Sequence, residues 1–204
     1  EYTGRDVVQR LGVAPERVEV AHPGIKDAFR PEGERAGLGR PYILTVATLE
    51  PRKNLGALVE AHRLLGDELL LAVAGGSGWG DQPELRGTDI VRLGFVTDEE
   101  LARLYRGAAV AVYPSRFEGF GMPITEAMAC GVPVVASSHP SMDEAAGDVA
   151  VRADPDDPAA IAAAIEAAIA RRDELVPRGL EHARRFTWRA AGETMLAGYE
   201  RAAR

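Results

Sequence analysis

Cysteine is almost missing from this chain. Cys130 is the only one in 204 residues, so no internal disulfide can form, and a reducing compartment is expected. No apolar run approaches the ~20 residues that a bilayer-spanning helix needs. The opening EYTGRDVVQRLG lacks the apolar stretch of a secretory signal. A cytoplasmic protein is expected, peripheral to a membrane at most through a domain outside this sequence. An excess of positive charge is also lacking. Lys and Arg number 24 against 31 Asp and Glu, a net charge of −7, which argues against a nucleic-acid partner or an anionic membrane surface. No repeat of solenoid length is present. An initiator Met is absent, and a piece of a longer protein or a processed product is expected.

What is present is ordinary globular material. The chain is 46% apolar and 27% charged, which excludes disorder as the main state. At roughly 150 residues per domain the length predicts one domain with a short appendage. Such a chain buries around 70% of its unfolded surface. Residues 1–40 differ from the rest. A helical pattern with Val7, Val8 and Leu11 on one face has Thr3 as its candidate cap. An apolar alternation follows at Val18, Val20 and Ala21. HPGIKDAFRPEGERAGLGR then reads as a connector, rich in Gly, Pro and charge.

From Pro41 a rhythm begins. Short apolar runs at 42–46, 68–76, 90–95, 110–115, 132–137 and 149–151 predict strands. Between and after them, helices are predicted at 54–65, 97–108, 123–131, 157–172, 176–185 and 188–203. Thr97 with Glu100 forms a capping pair, Pro123 sits in a first helical turn, and Ile161, Ile165 and Ile169 make a stripe. Strands alternating with helices predict an α/β fold with a parallel, Rossmann-like sheet and helices on both faces. In such sheets ligands bind beyond the carboxyl ends of the strands.

The residues after the strands therefore carry the chemistry. After the first strand, Arg52 and Lys53 precede a helix whose start is already electropositive, an arrangement that a bound phosphate or diphosphate would stabilise. A solvated loop is the plainer alternative. After the second strand comes AGGSGWG (74–80), whose Gly75 and Gly76 permit close approach of a ligand or a tight turn. It is not a dinucleotide fingerprint, because Asp81 stands where the third glycine belongs, and no Gly-Lys-Ser/Thr follows for a Walker loop. After the fourth strand comes PSRFEGFGMPITEAMACGVPV (114–134). Gly119 and Gly121 bracket Phe120 before a helix start, which exposes backbone N–H groups. Glu118 precedes the loop, and Glu126 is expected in the first turn of the helix, leaning back toward it. Two carboxylates on one crevice suit a polyhydroxylated ligand, since a carboxylate accepts from two vicinal hydroxyls. The plainer alternative makes Glu126 a helix-dipole carboxylate and Glu118 a surface residue.

EGFGMPITE has the form Glu-x7-Glu. Together with TLEPRKN, AGG, LGFVTDEEL, YPSRFEGFG, EAMACGVPVVAS and MDEAAGD, in this order and spacing, it resembles the C-terminal half of retaining GT-B glycosyltransferases of glycosyltransferase family 4. The resemblance covers residues 41–203. It implies a nucleotide-sugar donor domain over 41–204, with 1–40 as the linker and the tail of a preceding acceptor domain that this chain lacks. It further implies that Glu126 holds the ribose hydroxyls, that Glu118 contacts the transferred sugar, and that backbone groups of Gly119, Phe120 and Gly121 meet sugar and phosphate. Arg52 and Lys53 would neutralise the diphosphate, and Val96 would touch the base through its backbone. Many members carry Gly-Arg at the end of the first strand; here Ala47-Thr48 stands there, and Arg52 would substitute.

The partners implied are a nucleotide diphosphate sugar and a hydroxyl acceptor, with no cofactor, no metal and retention of configuration. DPDD (154–157) contains an Asp-x-Asp spacing, but it is read as helix-capping chemistry. His139 is read as structural, and Trp188 as a packing anchor at the start of a last helix with an apolar face. Alternatives are a nucleotide-sugar 2-epimerase of the same fold, a non-catalytic nucleotide-sugar binding module, and an oxidoreductase domain.

Overall fold

The computed structural model describes residues 1–78, 85, 87 and 89–203. Asp81, which breaks the glycine fingerprint, lies outside them. Six strands follow the expected rhythm: β1 (Tyr42–Val46), β2 (Leu70–Ala74), β3 (Ile90–Gly94), β4 (Val110–Tyr113), β5 (Val134–Ser137) and β6 (Val151–Ala153). They form one sheet in the order β3-β2-β1-β4-β5-β6, and every pairing is parallel. The helices are α1 (Tyr2–Leu11), α2 (Leu55–Leu64), α3 (Asp98–Gly107), α4 (Met122–Ala129), α5 (Asp143–Ala146), α6 (Pro158–Ala170), α7 (Arg172–Ala183) and α8 (Trp188–Ala202).

The inner strands β2, β1, β4 and β5 are buried and mostly apolar because both faces are covered, while the edge strands β3 and β6 carry Arg92 and Arg152. Ile43, Leu71, Val73, Val110, Val112 and Val135 pack on one side with Leu58 of α2 and with Ile161 and Ile165 of α6. Tyr42, Leu44, Ala72, Tyr113 and Val134 face the other side, against Leu101 and Tyr105 of α3 and Ile124 and Met128 of α4. The period of two in each strand thus sorts its residues between two cores. Strand order reverses between β1 and β4, and that switch point brings the loop after β1 beside the loop after β4.

Several local expectations are corrected. Thr3 does not cap α1; Glu1 holds that position, and the Thr3 hydroxyl donates to the Gly119 carbonyl at 3.3 Å. The alternation at Val18, Val20 and Ala21 builds no strand. The connector is more than a tether. Phe29 is buried against Tyr105, with ring centroids 6.0 Å apart, and Arg106 donates to the carbonyls of Glu34 and Arg30 at 2.8 and 3.1 Å. The sixth strand starts at Val151, because the N–H groups of Val149 and Ala150 turn back onto the Ala146 carbonyl at the end of α5. α5 itself, in the acidic MDEAAGD stretch, has too few residues to show a period. α7 begins at Arg172, directly after α6. Trp188 is not a packing anchor: it is 54% exposed, and Met195, Leu196 and Tyr199 of α8 are exposed with it.

Other expectations stand. Thr97 and Glu100 make the reciprocal capping box of α3. Asp157 caps α6 by accepting from the N–H groups of Ala159 and Ala160.

Candidate functional site at the strand-end crevice

The loop after β1 is shaped by Asn54, the one described non-glycine residue with a positive φ (56°). Asparagine tolerates this conformation better than most residues. Its buried side-chain amide donates to the carbonyls of Pro114 and Pro155 at 3.3 and 2.5 Å, tying the loops after β1, β4 and β6 together. Pro51, Arg52 and Lys53 form a single 3-10 turn just before it. Nothing in the sequence pattern pointed to Asn54 as the organiser of these loops.

That turn delivers Lys53 into the crevice. Its ammonium donates to Glu118 Oε1 at 2.7 Å and to the Tyr113 hydroxyl at 2.8 Å, and it lies 5.0 Å from the Tyr113 ring centroid. Arg52 reaches the other oxygen of the same carboxylate, with Nη1 2.7 Å from Oε2, and its Nε donates to Glu50 at 2.8 Å. Glu118 is fixed from behind, since its N–H donates to the Ser141 hydroxyl at 3.1 Å. Burial pushes the Glu118 carboxyl up, but Lys53 and Arg52 outweigh it and hold the group below the usual carboxylate range.

A cavity of about 580 Å³ opens here, within the size range of small-molecule sites. Lys53, Glu118, Gly119, Phe120, Gly121, Val96, Gly75 and Gly76 all line it, so eight of the ten residues singled out from the sequence meet around one cavity. Gly121 is the residue before α4, at φ 102°, a conformation that favours glycine. Gly75 has another reason to be glycine. A Cβ there would lie 2.1 Å from the Ala47 carbonyl oxygen, so its freedom serves the packing of β2 against the loop after β1. The Phe120 side chain packs on Phe186 and His22, with centroids 5.2 and 5.5 Å apart.

Two of the ten stand elsewhere. Arg52 does not line the cavity and sits on the outer side of Glu118. Glu126 is not in the first turn of α4, because the helix starts at Met122 and places it in the second. It is buried, lines no part of the cavity, and feels the charges of Asp98 and Lys26. Burial, with Asp98 adding to it, pushes its carboxyl up to about 7. No side-chain hydrogen bond to Glu126 is found among the described residues. Among the cavity residues that sequence reasoning did not single out are Pro23 from the connector, Tyr113 at the last position of β4, and Phe95, which is 84% exposed. Tyr113 was hidden because it also reads as a core strand residue.

His139 is structural: its Nδ1 accepts from the N–H of Ser141 and lies 2.9 Å from the hydroxyl of Ser141. The DPDD carboxylates are committed, Asp157 to its helix, Asp156 to Arg116 at 2.7 Å, and Asp154 to the N–H of Asp156 at 2.9 Å. Among the described residues no group of three or more His, Cys, Asp and Glu could hold a metal ion.

A parallel sheet covered on both faces, with its crevice at the point where strand order reverses, defines a Rossmann-like α/β domain. Residues 28–187 match the family described as glycosyl transferases group 1, and the chain belongs to that family. It is 42% identical over 173 residues to the O-antigen chain mannosyltransferase B of Escherichia coli, covering 78% of this chain and 45% of that protein. It is 36% identical over 228 residues to the D-inositol 3-phosphate glycosyltransferase of Geodermatophilus obscurus, covering 98% and 50%. Sucrose-phosphate synthase from Thermosynechococcus elongatus superposes with a TM-score of 0.81 at 25% identity, over 98% of this chain and 56% of that one. The sheet and its helices are thus one half of a GT-B fold, and the chain spans about half the length of the curated relatives it matches. No described helix is long and apolar enough to cross a membrane.

Proposed function

We propose that this chain is the donor half of a glycosyltransferase. It binds a nucleotide diphosphate sugar, and the complete protein transfers a hexose-type sugar to a hydroxyl acceptor with retention of configuration. The observation that carries this reading is the meeting of Lys53, Arg52 and Glu118 at the switch-point crevice, beside a cavity lined by Gly119, Phe120 and Gly121. Residues 1–40 are then the tail of the preceding domain and its linker.

The roles follow from charge. Breaking a sugar–phosphate bond builds negative charge on the diphosphate and positive charge on the sugar ring. Lys53 and Arg52, with the N–H groups at the start of α4, stabilise the leaving diphosphate. Glu118 faces the sugar. Glu126 is a buried carboxylate without a hydrogen-bonding partner, suited to accept from the ribose hydroxyls once a nucleotide brings them. Phe95 and Val96 line the end of the cavity assigned to the base. Fixed cations supply the charge that a metal supplies elsewhere.

The test uses this chain in two assays. Calorimetry with UDP, GDP, ADP and dTDP should show binding of at least one. Product detection with a panel of donors and acceptors should show no transfer, because the acceptor wall belongs to the other domain. Positioning contributes ~7–11 kcal/mol to such reactions, so its loss slows turnover by at least ~10⁵-fold. Absence of any nucleotide binding at millimolar concentration would remove the donor assignment. Robust transfer by this chain would refute the division of labour between two domains.

A further inference from the structure

The two cations of the crevice already have an anion. Each oxygen of Glu118 holds one of them, Oε1 on Lys53 and Oε2 on Arg52, both at 2.7 Å. Lys53 and Glu118 are 8% and 7% exposed, so water and salt screen their attraction poorly. The carboxylate is also held in place, because the Glu118 N–H is anchored on Ser141 and Lys53 is steadied by the Tyr113 hydroxyl. A diphosphate entering the cavity therefore meets a like charge seated on the cations it needs. Either Glu118 leaves them or the two anions share them, and like charges brought together without compensation repel strongly.

We infer that Glu118 sets specificity for the sugar-bearing nucleotide over the bare nucleoside diphosphate. This rests on the donor-site reading above. Glu118 competes with the diphosphate for Lys53 and Arg52. Hydroxyls of an attached sugar offer the displaced carboxylate new donors, since an ionised carboxylate only accepts hydrogen bonds. The bare diphosphate offers none. The same competition acts after transfer: once the sugar has gone, Glu118 returns to both cations and favours departure of the leaving group.

Calorimetry on this chain and on Glu118→Gln, with UDP, UDP-glucose, GDP and GDP-mannose, tests the inference. Glutamine keeps the shape and removes the charge. The variant should bind the bare diphosphate on the order of tenfold more tightly, the scale of one charge-assisted bond, while the sugar form gains less. Glu118→Ala, which also frees both cations, should change affinity in the same direction. Unchanged or weaker binding of the bare diphosphate overturns the inference, and so does an equal gain by both forms. A wild type that binds UDP as tightly as UDP-glucose, and GDP as tightly as GDP-mannose, overturns it without any variant. If neither chain binds any of the four ligands, the donor site itself falls and the inference with it. Binding by the wild type with no change in the variants removes the role of Glu118 alone.

Discussion

Glu118 and Glu126 lie eight residues apart, one before the start of α4 and one inside it, and both are buried. Their surroundings are opposite. Glu118 has a cation on each oxygen, and those cations outweigh its burial and keep its carboxyl below the usual range. Glu126 has no such partner: burial and the nearby Asp98 push its carboxyl up to about 7, and Lys26 offsets them only in part. One carboxylate is compensated inside the protein and becomes available only by exchange. The other is buried with no hydrogen-bonding side-chain partner among the described residues. Burial of an acid thus has no fixed meaning in this crevice, since the charges beside it decide its state.

The largest expected effect tests the Glu126 side. The folded chain keeps the proton of Glu126 up to about pH 7, whereas an unfolded glutamate releases it near pH ~4.3. A raised acid value favours the folded state below the unfolded pKa. That advantage is lost as pH rises through about 7, and it amounts to about 3 kcal/mol. Glu126→Gln should match the wild type near pH 4 and exceed it by about that amount at pH 8, read from urea melts across the range. A difference that does not change with pH would break the contrast between the two carboxylates.

The next effect tests the Glu118 side. Lys53→Ala should weaken nucleoside diphosphate binding by roughly 10- to 150-fold, the equivalent of about 1.5–3 kcal/mol, and leave nucleoside binding nearly unchanged. Calorimetry with a nucleoside and its diphosphate gives both numbers. Equal weakening of the two would take Lys53 off the phosphate.

Most of the frame was legible in the sequence, for reasons that particular residues show. The β1 run YILTV matches its strand at both ends, because a strand covered on both faces reads as a short, mostly apolar, β-branched run, here opened by Pro41. The Thr97 and Glu100 box was legible because capping chemistry is local. That Lys53 and Glu118 follow the carboxyl ends of strands was legible because a parallel sheet puts its ligand loops there, but that β1 and β4 are neighbours, which brings the two together, is given by the sheet order alone. What pattern could not give was the partner of each charge. Sequence spacing assigned Arg52 and Lys53 to a diphosphate and gave no sign that Glu118 holds them both. It put Glu126 in the first turn of α4, whereas a helix start at Met122 puts it in the second, buried and not among the residues that line the cavity. Asn54 and Tyr113 act through contacts 60 residues away in sequence, which local periodicity cannot report.

A smaller effect sharpens the contrast by touching one carboxylate alone. Ser141 is buried and accepts from the Glu118 N–H. Ser141→Ala leaves that donor unpaired and should cost about 1 kcal/mol of stability. Differential urea melts should show the loss at every pH between 5 and 8, with the slope set by Glu126 unaltered. A changed slope would mean that the two carboxylates are coupled.

The smallest expected effect is none at all, and it bears on why Glu118 is compensated by side chains. A divalent ion at the crevice would draw in Glu118 and require further acidic ligands. The Asp-x-Asp of DPDD is the nearest sequence pattern for one, yet Asp157 caps α6, Asp156 binds Arg116, and Asp154 holds the loop through the N–H of Asp156. Drawing them to an ion would give up the cap, worth about 1 kcal/mol, and the loop bonds with it. Lys53 and Arg52 already place two positive charges where the diphosphate is assigned, and Glu118, the carboxylate an ion there would need, is already held by both of them. Nucleoside diphosphate affinity should therefore agree within about twofold with and without EDTA, a difference of no more than ~0.4 kcal/mol. A tenfold loss on chelation would put an ion between Glu118 and the phosphates, and the fixed cations would then be its neighbours rather than its replacement.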